Sequence, residues 1–351
     1  MSVPAPMSPA EIRARVESTT PWREASTGGE AIAAALAVAR GAAQDQVDRL
    51  AFAKRIVVTG AGSSLYISQI AAGAMRSYCR LPAEAVPLSE VLLRPRAVFA
   101  AEELTNQPVV VVSRSGTTTE ALEVIRAARA RDQRTLAVTC RPQSPMAQLA
   151  DEVLAVPEGD EEAIVMTRSF ASQATLLMRL GTRLGDPDFA RDLDSLPQHW
   201  AETAPFVEQA FELAATSPSR VVVLGGGAAF GLANEAVLKM TETSQIPAAA
   251  FHPLEFRHGP MSVCEPGMLV VGILGGEAEA DERRVVEESA ALGATTWVLG
   301  PDGPGAGLGE IARLPLALYP LQALALGLAA VRGRDPEAPR HLEQVVVIED
   351  E

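Results

Sequence analysis

Glu235, Lys239 and Glu242 stand four and three residues apart in NEAVLKMTETSQ, so a helix through them puts all three on one face. A carboxylate and an ammonium on one helix face are candidates for acid–base chemistry. The same spacing also describes a solvated ion-pair stripe, which is its commoner meaning. Downstream, a strand-like AAAF leads into HPLEFRHGP, where His258 precedes a Gly-Pro pair that disfavours continued helix. His258 is one of four histidines and sits near Glu255 and Arg257, a setting that suits an acid–base group as well as a structural one.

Hydroxyls are concentrated in three turns: GAGSS (60–64), SRSGTTT (113–119) and VMTRS (165–169). Ser and Thr at strand ends can join backbone N–H groups at helix N-termini to hold an anion, and they also cap helices routinely. The pairing of SRSGTTT with GAGSS favours a phosphate site. Gly62 and Gly116 would let the backbone approach the oxygens, and Ser64, Ser113, Ser115 and Thr118 would supply neutral donors. Neither turn is a Walker loop or a G-x-G-x-x-G fingerprint, so a nucleotide is not indicated.

The elements that must position these residues follow an α/β pattern. RIVVTG (55–60), QPVVVVS (107–113) and RTLAVTC (134–140) read as buried parallel strands, with helices around 65–78 and 118–130 between them. A helix-like SFASQATLLMRLGTRLG and a loop-rich stretch containing DPDF and SLPQHW lead to a second α/β unit at RVVVLGGG. RIVVTGAGSS and RVVVLGGGAA begin 165 residues apart, about one domain length, which suggests two copies of one fold, the second without serines. The expected organisation is a helical N-terminal arm (1–50), a phosphate-binding unit (51–195), a unit carrying the Glu and His (196–335), and a C-terminal tail (336–351). Each unit should be a doubly wound parallel sheet.

Composition narrows the function classes. The 351 residues are 48% hydrophobic and 21% charged, as in a folded globular chain. Thirty basic against forty-four acidic residues give a net charge of −14, which opposes nucleic acid and anionic membrane surfaces but not a small phosphorylated ligand held by local donors. IAAALAVA and ALALGLAAV fall short of a bilayer span, and MSVPAPMSPAEIR lacks a signal pattern, so the expected location is the cytoplasm. Cys79, Cys140 and Cys264 fit neither a disulfide framework nor a zinc cluster.

SRSGTTT, VMTRSF and KMTETSQIPAAAFHPLEFRHGP resemble the sugar isomerase (SIS) domain family, including the isomerase half of glucosamine-6-phosphate synthase, over about residue 50 to the C-terminus. The resemblance implies two tandem SIS-type units with Ser64, Ser113, Arg114, Ser115 and Thr118 around a substrate phosphate. It implies Ser63, Ile164 and Gln344 near the sugar, Glu242 as isomerising base, His258 as ring-opening group, and Lys239 in support, where it would keep the carboxylate ionised. Two departures shape the expected activity. No cysteine precedes Cys79 to liberate ammonia from glutamine, and Gln344 stands where the synthase has an imine-forming lysine. VMTRSF is more like the family's deaminases and deglycases. The resemblance therefore implies glucosamine-6-phosphate deaminase activity, giving fructose 6-phosphate and ammonium, with another phosphosugar isomerase or a fructosamine-6-phosphate deglycase as alternatives.

No cofactor or metal is expected, because a carboxylate can shuttle the proton of an enediol and His252 and His258, six apart around Pro253, make a poor ligand pair. The expected partner is a phosphorylated amino sugar, and the family's usual homodimer would put the site at its interface, where His258 could serve the neighbouring subunit. A non-catalytic sugar-phosphate sensor is the alternative from another class. Against it, the first 50 residues lack the basic face of a DNA-binding helix-turn-helix.

Overall fold

The valine-rich runs become two all-parallel sheets in a computed structural model of the chain, which describes residues 7–99 and 106–343. The first sheet contains β1 (Ile56–Gly60), β2 (Ala83–Pro87), β3 (Val109–Val112), β4 (Thr135–Thr139) and β5 (Glu152–Ala155), in spatial order β2-β1-β3-β4-β5. The second contains β6 (Arg220–Gly225), β7 (Ala248–Phe251), β8 (Met268–Ile273) and β9 (Thr295–Leu299), in order β7-β6-β8-β9. With β6 set on β1, the second order is the first without its last strand. The shared opening sequence therefore corresponds to a shared topology, and the α/β doubly wound class is as expected.

Both sheets are buried on two faces, which is why their strands read as continuous apolar runs. In the first, Val57, Val109 and Val111 pack with Val124 and Ile125 of the helix Thr119–Arg129. Strand alternation sends Val58 and Val110 to the other face, where the helix Ser63–Cys79 packs on β1 and against the helix Arg168–Gly181. In the second, Val222, Leu224 and Val270 pack with Val285 and Val286 of the helix Glu279–Ala291. The helix Ala229–Ser244 packs on β6 and β7 and against the helix Leu314–Val331.

Each sheet belongs to its own compact unit. The first-sheet unit takes the described residues of 28–161 and 168–194; the second-sheet unit takes residues 7–27, 162–167 and 195–342. The N-terminal helices are thus shared out. Pro9–Glu17 and Thr20–Ser26 belong with the second sheet, Gly28–Gly41 and Gln44–Ala51 with the first.

Two sequence expectations are corrected. The stretch around DPDF and SLPQHW is a helix, Pro187–His199, in which the Asp186 carboxylate accepts the N–H groups of Asp188 (2.8 Å) and Phe189 (3.4 Å) and Phe189, Leu193 and Leu196 are buried. Pro187 suits its first turn, and Pro197 falls near its end, where interrupting the hydrogen-bond ladder matters least. The run ending in ALALGLAAV extends to an 18-residue helix, Leu314–Val331, long and apolar enough to cross a bilayer by length and composition. Every residue of that helix is buried inside the protein, as the core element of the second-sheet unit.

Candidate active site

Strand order decides where a ligand can sit in the first unit. From β1 the chain turns one way to β2 and then crosses to β3 on the other side, so the helices after β1 and β3 diverge and leave a crevice at the carboxyl ends of those strands. The GAGSS and SRSGTTT turns are the two segments at those ends.

The geometry of the serine turn argues against simple helix capping. Thr118 is the residue before the helix Thr119–Arg129, and its side chain makes no capping bond. Instead, Ser113 Oγ accepts the Gly116 N–H (3.2 Å) and lies 3.4 Å from Thr118 Oγ1, while Ser115 Oγ accepts the N–H and the hydroxyl of Thr117 (3.2 and 2.9 Å). A hydroxyl that accepts in this way keeps its own O–H to donate. Ser63 and Ser64 open the helix Ser63–Cys79, both buried, after Gly62 at φ 55°, ψ −128°. That conformation is open to glycine and strained for other residues. Gly116 is needed for packing: a Cβ on it would collide with the Ser144 side chain.

Arg114 sits between the two serines but faces inward. Its guanidinium, 5% exposed, meets the fully buried carboxylate of Glu161 at 3.4 Å, and Glu161 also accepts from the Ser169 N–H (3.2 Å) and hydroxyl. Sequence reasoning grouped Arg114 with the phosphate donors and overlooked Glu161. The pairing spans 47 residues of sequence, and no local pattern announces it. Glu161 thus ties Arg114, and with it the serine turn, to the start of the helix Arg168–Gly181.

In the second unit, the helix Ala229–Ser244 brings Glu235, Lys239 and Glu242 together as the spacing implies, but the stripe is buried. Lys239 Nζ lies 3.6 Å from Glu235 Oε1 and donates a short hydrogen bond to Glu242 Oε2. Side-chain exposure rises along the stripe: 0% at Glu235, 3% at Lys239 and 18% at Glu242. A solvated surface stripe is ruled out, and Glu242 is the carboxylate that reaches outward. The helix end carrying it is fixed by Arg332, whose guanidinium donates to the carbonyls of Ser244 (2.9 Å) and Gln245 (3.4 Å).

His258 lies in the turn after the short helix Pro253–Phe256 and is exposed. Its backbone N–H donates to the Glu255 carbonyl at 3.0 Å, and neighbouring Arg257 makes a two-pronged contact with Glu288, 2.7 Å on each arm. Among the described residues no hydrogen bond joins His258 to Lys239 or Glu242. His252 instead stacks on Phe230, ring centroids 4.0 Å apart. Ile164 is half-buried in the loop between β5 and the helix Arg168–Gly181. Gln344 lies outside the described residues.

The sequence model of one protein family, described as the SIS domain, matches residues 49–183 and 216–300. A glutamine–fructose-6-phosphate aminotransferase [isomerizing] of Corynebacterium diphtheriae is 28% identical over 327 residues, 84% of this chain and 51% of its own length. The chain spans about half the length of the curated relatives it matches. Among solved structures, glucosamine-6-phosphate deaminase from Thermotoga maritima superposes with a TM-score of 0.79 at 26% identity, covering 94% of this chain and 100% of its own. Tagatose-6-phosphate ketose/aldose isomerase from Escherichia coli, at 21% identity and a TM-score of 0.73, shares the fold over 98% of this chain and 99% of its own.

Proposed function

The chain belongs to the SIS domain family, and we propose that it is a phosphosugar isomerase that removes an amine, a glucosamine-6-phosphate deaminase. One observation carries the reading: a buried lysine bracketed by two glutamates, of which only Glu242 reaches outward. A non-catalytic sensor does not require a carboxylate that reaches outward from such a pair. The likeness to the T. maritima deaminase, which extends over all of that protein's chain, supports amine removal.

In this reading the hydroxyls of Ser64, Ser113, Ser115 and Thr118 hold the substrate phosphate, and Ser63, Ile164 and Gln344 contact the sugar. His258, supplied across a homodimer interface, moves a proton from the C1 hydroxyl to the ring oxygen, opening the pyranose to the aldehyde. Glu242 takes the C2 proton and returns it to C1, which converts the amino aldose into the 2-imine of fructose 6-phosphate. Lys239 stabilises the negative charge that develops on the oxygen between those steps. Water adds to the imine carbon and ammonium leaves, giving the ketose. The carboxylate is the only base the transfer requires.

The test is a coupled assay of the purified protein on glucosamine 6-phosphate, reading ammonium and fructose 6-phosphate separately. Equal amounts of both are expected. Ketose without ammonium from glucose 6-phosphate would make it a simple isomerase, and turnover only of fructosamine 6-phosphates would make it a deglycase.

A further inference from the structure

The loop of residues 162–167 carries Ile164 and leads into the helix Arg168–Gly181, yet it belongs to the second-sheet unit together with residues 7–27. A carboxylate distant in sequence holds it. Glu24, in the helix Thr20–Ser26, accepts the Glu162 N–H at 2.7 Å through one oxygen and the Ala163 N–H at 3.1 Å through the other. Its exposure is 7%. Two successive amides on one carboxylate leave the loop backbone little freedom at the two residues preceding Ile164, and hydrogen bonds to an ionised acceptor are the strong kind.

Glu24 is itself held firmly. The Trp22 ring lies 5.5 Å from that of Phe211 and 5.4 Å from that of Tyr319, in two helices of the unit's core. The Thr19 side chain caps the helix that carries Glu24, and the Glu337 carboxylate accepts the Thr20 N–H at 2.6 Å. Burying a carboxylate is expensive unless its hydrogen bonds are made, so a neutral apolar residue would serve packing alone at least as well. The two loop amides are bonds that such a residue could not make.

We propose that Glu24 is a positioning residue for substrate recognition: it fixes the loop bearing Ile164 and so makes the N-terminal helix part of the machinery that reads the sugar. This rests on the assignment of Ile164 to the sugar in the function proposed above. The proposed phosphate donors lie in the turns after β1 and β3 rather than in this loop, so the sugar and the phosphate contributions to binding should separate.

The experiment compares wild type with Glu24→Gln and Glu24→Asp by calorimetry, using fructose 6-phosphate and inorganic phosphate as probes, with amide hydrogen exchange at Glu162 and Ala163. Glu24→Gln turns an N–H donor against a backbone N–H and must break one of the two bonds; Glu24→Asp keeps the charge on a shorter arm. Expected results are exchange at both amides at least tenfold faster in Glu24→Gln, and fructose 6-phosphate affinity about tenfold weaker with phosphate affinity unchanged. Glu24→Asp should recover part of the loss, which excludes general misfolding. Unchanged exchange, or faster exchange with fructose 6-phosphate affinity intact, would overturn the proposal. Because both probes report binding, a protein that binds fructose 6-phosphate but releases no ammonium would sink the deaminase reading and leave the role of Glu24 standing.

Discussion

At the end of β1 the chain runs Gly60-Ala61-Gly62 into Ser63 and Ser64; at the end of β6 it runs Gly225-Gly226-Gly227 into Ala228 and Ala229. The third residue, a glycine in both, has φ 55° in one turn and 52° in the other, and a Cβ on Gly60 or Gly225 would collide with the backbone of the fourth residue on, Ser64 or Ala229. Matched strand registers place Ser113, Arg114 and Ser115 in the positions of Leu274, Gly275 and Gly276. The backbones of the two crevices correspond; their side chains do not. In the second, the Glu282 carboxylate accepts the Gly275 N–H and lies against Gly226, Glu310 lies against Gly276, and Arg313 donates to the Leu274 carbonyl at 2.5 Å. The second crevice is occupied by the chain's own carboxylates, whereas the first presents hydroxyls. The two copies share a scaffold and differ in the side chains set on it.

If the second copy contributes chemistry in place of anion binding, the largest effect should come from its buried stripe. Glu242→Gln should lower kcat about 10²-fold or more, with KM for glucosamine 6-phosphate nearly unchanged, because shape is kept and proton transfer is lost. Stopped assays of ammonium release check it. Ordinary turnover with lowered stability would return the stripe to a structural role.

The first copy should dominate affinity. In Ser113→Ala/Ser115→Ala, each lost hydrogen bond to a charged oxygen removes roughly 1.5–3 kcal/mol, so KM should rise about tenfold or more per bond. Calorimetry on wild type should find one phosphosugar per chain. A second equivalent at the β6–β8 crevice would break the contrast between the copies.

The paired glycines sharpen the contrast further. Gly62→Ala and Gly227→Ala each force a side chain into a strained backbone conformation and should each lower stability by about 1–3 kcal/mol. Nothing lies within 4 Å of a Cβ on Gly227, so its effect is purely conformational. Denaturant midpoints should fall in both variants, and KM should rise only in Gly62→Ala.

These experiments address what sequence could and could not convey. The strands at 55–60, 107–113 and 134–140 were legible because strands buried on both faces read as near-continuous β-branched and apolar runs. The serine turns and the Glu235-Lys239-Glu242 face were legible because glycine, hydroxyl and helical spacing are local properties. Whether that face was wet or dry was not, since i, i+4, i+7 describes both, and only the packing of the helix against Leu314–Val331 decides. The pairings of Arg114 with Glu161 and of Glu24 with residues 162–163 were invisible for the same reason: they join points 47 and about 138 residues apart. The helix Pro187–His199 was not legible, because what marks it is the burial of Phe189, Leu193 and Leu196, a property of packing rather than of local composition.

The smallest expected effect lies at the carboxylate that occupies the second crevice. Burial pushes the Glu282 carboxyl above the ordinary glutamate value of 4.5, opposed by its hydrogen bond from Gly275 and reinforced by the neighbouring Glu310 and Glu279. A raised value means that the folded chain holds this proton more tightly than the unfolded chain does. The resulting contribution to stability is fully present below pH 4.5 and is lost as the pH rises through the folded value. Glu282→Gln has no proton to lose and keeps an oxygen to accept the Gly275 N–H. Relative to wild type it should therefore gain stability between pH 4.5 and neutrality, by a small amount that levels off once the wild-type carboxyl is fully ionised. Thermal midpoints of the two proteins across that range check it, with KM at neutral pH expected to be equal. A difference that is flat with pH would mean that Glu282 titrates as an ordinary surface carboxyl, and a changed KM would give the second crevice a part in substrate binding that its side chains argue against.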